Sequence, residues 1–97
     1  PDLVFGNDDA IGDVKYRLST GRIETSHLYQ LTSFAAGYES RHGLLIDFGP
    51  DRGSDHVEIG AIRVAAASWD IELQNPTSAA EKLCAQVGRW LSSEVTV

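Results

Sequence analysis

One stretch limits what this chain can fold into more than any other: Gly43-Leu-Leu-Ile-Asp-Phe-Gly-Pro50, a continuous apolar run closed at both ends by glycine. A strand with one wet face alternates apolar and polar residues, whereas an unbroken run between turn formers belongs to a strand covered on both faces. Such a strand sits in the middle of a sheet with helices packed against it. The expectation is an α/β fold with a mixed central β-sheet flanked by helices.

The residues before this run read as a β-hairpin. Leu3-Val4-Phe5 is a short apolar segment, Gly6-Asn7-Asp8-Asp9 is rich in turn formers, and Ile11 to Leu18 alternates with strand periodicity. If the turn centres between Asn7 and Asp8, cross-strand partners have numbers summing to 15, so Asp2 faces Asp13. The period of two then puts Lys15 and Arg17 on that same face and Val14, Tyr16 and Leu18 on the other.

A helix is expected over about residues 27–41, with Ser26 as N-cap, Leu28, Leu31, Ala35 and Tyr38 at helical spacing, and Gly43 as the stop. Beyond the central strand, residues 57–64 and 67–73 read as two further strands, with Ala65-Ala66-Ala67 ambiguous. Ser78-Ala-Ala-Glu81 has the form of a capping box, Pro76 falls just outside it, and Leu83, Val87, Trp90 and Leu91 form an apolar stripe. The element order is β-β-α-β-β-β-α.

At 97 residues the chain is one domain, 1–97, and 42% hydrophobic with 23% charged residues is an ordinary folding composition. No apolar run approaches the ~18 residues of a membrane span and no signal segment opens the chain, so a soluble protein is expected. Cys84 is the single cysteine and reads as a small buried hydrophobe in a reducing, cytoplasmic setting. Because the sequence opens on Pro1 and not methionine, a C-terminal piece of a longer chain is expected. A net charge of −6 argues against a surface that wraps nucleic acid throughout. Charge polarity softens that objection: Lys15, Arg17, Arg22, His27, Arg41 and His42 lie in the first half, while Asp47, Asp51, Asp55, Glu58, Asp70 and Glu72 crowd the middle.

Two aspartates converging across a hairpin, with a lysine two residues along on the same face, suit one kind of chemistry. Hydrolysis of a phosphodiester needs a nucleophile made from water near neutral pH and a counter-charge for the phosphate, and a bound Mg²⁺ supplies both. Mg²⁺ is usually held by one or two carboxylates plus waters and substrate oxygens, which Asp2 and Asp13 can provide. Lys15 would add a positive charge beside the attacking water or the scissile phosphate.

These residues carry a resemblance. Pro1-Asp2, Asp13-Val14-Lys15-Tyr16, His27-Leu28-Tyr29-Gln30-Leu31 and Gly43-Leu44-Leu45-Ile46 together resemble the PD-(D/E)xK nuclease superfamily, and within it the nuclease subunit of methylcytosine-dependent, McrBC-type restriction systems. The resemblance covers about residues 1–50. It implies a restriction-endonuclease-like core and a Mg²⁺-dependent DNA endonuclease, with Mn²⁺ as a substitute ion. Asp2 and Asp13 would ligate the metal, the Val14 carbonyl would add a ligand, and Lys15 would serve catalysis. Gln30 corresponds to the helical glutamine many of these nucleases carry, with Phe34 as the aromatic that follows. The implied partners are DNA and a nucleotide-driven motor subunit. The superfamily core also has a helix bearing an acid and another strand before the Pro-Asp motif; both are missing from these residues.

Each sharper reading has a plainer one beside it. An Asp followed two residues later by Lys is common on solvated strand faces. Asp8 and Asp9 read as turn chemistry, His27 as a solvated or capping residue, Tyr29 and Tyr38 as core packing, Trp69 and Trp90 as packing, and Asp51, Asp55 and Asp70 as loop or surface acids. Gln30 stays open between a site residue and the edge of the apolar stripe. Two competing functions follow: a nuclease-fold module that docks DNA or protein without turnover, and an unrelated α/β protein whose Asp2, Asp13 and Lys15 form a surface ion-pair network worth little.

Overall fold

The computed structural model describes residues 1–7, 9–18, 25–49, 55–73 and 75–95, with the side chains of residues 16–18, 25 and 55 outside that description. The elements run β1 (Leu3–Phe5), β2 (Ala10–Leu18), α1 (Thr25–Gly37), β3 (His42–Phe48), β4 (Asp55–Ile59), β5 (Ile62–Trp69) and α2 (Pro76–Trp90), followed by a π-helical turn at Leu91–Val95. The order is β-β-α-β-β-β-α, as the sequence predicts. The sheet order is β1-β2-β3-β5-β4. Strands β2, β3 and β5 are parallel, and β1 and β4 pair antiparallel at the two edges.

The apolar run becomes the middle strand for the reason its sequence suggests. Leu44 and Ile46 face one layer with Ala10, Ala67 and Trp90, against which Leu83 and Val87 of α2 pack. Leu45 faces the other layer with Ile11, Val64 and the α1 residues Leu31 and Ala35. Burying each large aliphatic side chain is worth roughly 1.5–3 kcal/mol, so a strand that fills both layers ties the two helices to one sheet.

The β1–β2 register is Leu3↔Gly12, Val4↔Ile11 and Phe5↔Ala10, the sum-of-15 pairing expected from the turn. Several boundaries differ from expectation. Helix α1 begins at Thr25, so Ser26 lies inside it, and ends at Gly37, not near 41, with Gly43 inside β3. The helix is closed by a Schellman motif: Glu39 N–H donates to Ala36 O at 3.1 Å and Ser40 N–H to Ala35 O at 2.8 Å. Glu39 takes the left-handed position with φ 56°, where glycine is usual. Gly43 serves close approach instead, since a Cβ there would lie 3.1 Å from Leu31 Cδ2 and Cγ.

The expected strands at 57–64 and 67–73 are one hairpin displaced toward the N-terminus. Gly60 (φ 58°) and Ala61 form its two-residue turn, and the three alanines lie within β5. Helix α2 begins a turn before the expected capping box, with Asn75 Oδ1 accepting from Thr77 N–H at 2.9 Å and Pro76 in the first turn.

Four burial expectations are corrected. Tyr29 and Tyr38 are exposed, not core. Cys84 is exposed on α2. Asp70 is a buried acid: its carboxylate accepts from Glu72 N–H at 3.0 Å and pairs with Lys82 Nζ at 2.7 Å. Trp90 packs as expected, edge-on to Phe5, and Trp69 lies against Phe48. Asp8, Arg22 and Asp51, together with the side chains of Tyr16, Arg17, Leu18 and Asp55, lie outside the described residues.

Candidate functional site

The hairpin register decides the site. Because Leu3 pairs with Gly12, Asp2 falls opposite Asp13 at the open end of the β1–β2 ladder. Alternation along β2 sends Val14 into the α2 layer and leaves Asp13 and Lys15 on the α1 side. Helix α1 is held on that side by Leu31 and Ala35, which are fully buried against the sheet, and it brings Gln30 over the strand.

Four side chains meet there. Asp2 Oδ2 accepts from Val14 N–H at 2.8 Å, and Asp2 N–H donates to Asp13 Oδ1 at 3.3 Å. Lys15 Nζ donates to Asp13 Oδ2 at 2.8 Å and to Gln30 Oε1 at 2.7 Å. The carboxylate of Asp13 and the ammonium of Lys15 are largely withdrawn from water, with side chains 9% and 18% exposed, whereas Asp2 and Gln30 are exposed. This is not an ion pair splayed into solvent.

The hydrogen bond from Val14 N–H, followed by hydrogen bonding with Asp13, holds the Asp2 carboxyl below its ordinary range; partial desolvation opposes this, and the Lys15 charge adds a smaller pull downward. Asp2 is therefore a carboxylate at neutral pH. Asp2, just ahead of β1, and Asp13, on β2, offer hard oxygen donors of the kind that Mg²⁺ takes together with waters. Among the described residues no group of three His, Cys, Asp or Glu side chains converges that could hold a metal ion. Val14, expected to contribute its carbonyl, uses its amide to orient Asp2.

Phe34 packs half-buried against the α1-side core and touches that layer. Of the other basic residues, Arg41 and His42 lie at the opposite, amino-terminal end of β3. There they line a cleft of about 440 Å³ with Asp9, Tyr38 and Glu39, and so do not join Lys15.

Sequence reasoning passed over Asp47. Asp13 pairs with Leu45, so Asp47 lies two residues further along β3 on the same face, with its Oδ1 accepting from Ser68 Oγ at 2.8 Å across to β5. The signal was present: Asp47 is the lone acid in the apolar central run. Set against known proteins, the chain matches no family model, no curated protein and no solved structure.

Proposed function

We propose that this domain is a metal-dependent endonuclease of the PD-(D/E)xK type, hydrolysing DNA phosphodiester bonds as the cleavage component of a restriction system. The reading rests on one observation: the hairpin register gathers Asp2, Asp13 and Lys15 on one face, where α1 adds Gln30. Asp2 and Asp13 would hold the ion. When bound, Mg²⁺ would supply a water activated near neutral pH and a counter-charge for the phosphate. Lys15 donates toward the charge that develops on the phosphoryl oxygens, and Gln30 orients the Lys15 ammonium. DNA is the substrate in this reading, and a motor subunit supplies the recruitment that a chain of net charge −6 does not provide by itself.

A second reading, a nuclease-fold module that binds DNA without turnover, draws on that same charge and on there being no group of three such side chains among the described residues that could hold a metal ion. Nicking of supercoiled plasmid separates them. The endonuclease reading expects Mg²⁺- or Mn²⁺-dependent nicking by the wild type and its loss, by at least about 100-fold, in Asp13→Asn and Lys15→Met proteins with unchanged circular dichroism. DNA binding without nicking, unaffected by Asp13→Asn, would select the module.

A further inference from the structure

Asp13 is asked to serve two cations. Its Oδ1 already accepts the Asp2 amide and its Oδ2 is 2.8 Å from Lys15 Nζ, in a place where the Asp13 side chain is 9% exposed and water can do little to share the charge. A divalent ion placed on Asp13 would lie close to the Lys15 ammonium, and two like charges a few ångströms apart in a poorly solvated site repel strongly. Both cannot keep their full hold on one carboxylate. Lys15 has a second anchor: its Nζ sits 2.7 Å from Gln30 Oε1, on the exposed side of the site. An ammonium with three donors can release Asp13 while keeping Gln30.

We infer that a divalent cation and Lys15 compete for Asp13, so that ligation of the ion swings the Lys15 ammonium off Asp13 and out along Gln30 toward where a phosphate would approach. This rests on the metal site proposed above and adds an ordering to it. Metal ligation and the presentation of Lys15 are one event, and Gln30 is a positioning residue that sets where the ammonium goes.

Mn²⁺ titration followed by calorimetry and by loss of the free-ion electron paramagnetic resonance signal tests this. Lys15→Met is expected to bind Mn²⁺ about tenfold more tightly than the wild type, equivalent to about 1.4 kcal/mol. In the wild type, the Lys15 ε-methylene NMR signals are expected to shift with Mg²⁺ along the same saturation curve as binding; this arm needs no variant to fold. Equal or weaker Mn²⁺ binding by folded Lys15→Met overturns the inference. So does a Lys15 signal that stays fixed through saturation, or an absence of Mn²⁺ binding at millimolar ion. A protein that shows the coupled shift but nicks no plasmid keeps the competition and loses the endonuclease reading. One that nicks plasmid while Lys15→Met leaves affinity unchanged does the reverse.

Discussion

Replacing Gly43 with alanine puts a methyl group into the seam between β3 and α1. The new Cβ lies 3.1 Å from Leu31 Cδ2 and Cγ, against comfortable carbon separations of about 3.5–4.0 Å, so the two sides must part by roughly 0.4–0.9 Å. Neither side yields easily. Gly43 is hydrogen-bonded between β2 and β5 in the middle of the sheet, and Leu31 is fully buried. Overpacking of this kind costs about 1–3 kcal/mol. Removing glycine from a strand returns about 0.5–1 kcal/mol, leaving a net loss of about 0–2.5 kcal/mol. Leu31→Ala alone should cost about 2–5 kcal/mol, but it deletes all three Leu31 atoms that the new methyl meets. In that background Gly43→Ala becomes neutral or stabilising. Urea unfolding of the four proteins, compared at constant m-value, should therefore give a coupling energy near 2 kcal/mol. Additivity within about 0.5 kcal/mol would show that the helix is not seated by this contact. Because α1 carries Gln30, the single variant should also weaken the Gln30–Lys15 contact, visible as a shift of the Lys15 side-chain signals.

Two further outcomes concern stability. Glu39→Gly should stabilise the fold by about 0.5–1 kcal/mol, the left-handed backbone cost of about 1–2 kcal/mol less the entropy of the added glycine, measured as a raised urea midpoint. Asp70 is held below its ordinary range by the Lys82 ammonium and then by the Glu72 amide. A depressed carboxyl stabilises the folded state above its unfolded value of about 3.9 and ceases to do so as pH falls through the lower folded value. The gap between wild type and Asp70→Asn should thus be constant from about pH 5 to 7 and narrow below about pH 4 in urea melts; a gap independent of pH would show that the Lys82 pair does not carry it.

The hairpin and its site were legible because local rules sufficed. A turn of four polar or glycine residues sets a register, and the register with a period of two brings Asp2, Asp13 and Lys15 to one face. The element order was legible for the same reason. What was not legible depends on contacts between distant residues or on absent signals. Glu39 occupies a position that glycine would have announced, so no residue there marks the end of α1. Ala65-Ala66-Ala67 has no preference for strand over helix, and only its pairing with β3 and β4 makes it strand. Asp70 looks like a surface acid until Lys82, twelve residues on, folds over it. The exposure of Tyr29, Tyr38 and Cys84 has a similar origin: helical spacing says that a residue can face a core, not that the core extends that far. Asp47 looks like one more residue of a buried strand until Ser68, from a strand 21 residues on, donates to its carboxylate.

The pairing order carries a kinetic consequence. Two hairpins close over short turns, β1 with β2 and β4 with β5, while β3 must thread between them, joining Ile11 to Gly43 on one side and His42 to Arg63 on the other. Local closure is fast and loses little chain entropy; joining distant segments is the slow part. The acid pair thus belongs to the early unit and Gln30 to the late one, so maturation of the four-residue cluster should report on the final docking step, not on hairpin formation.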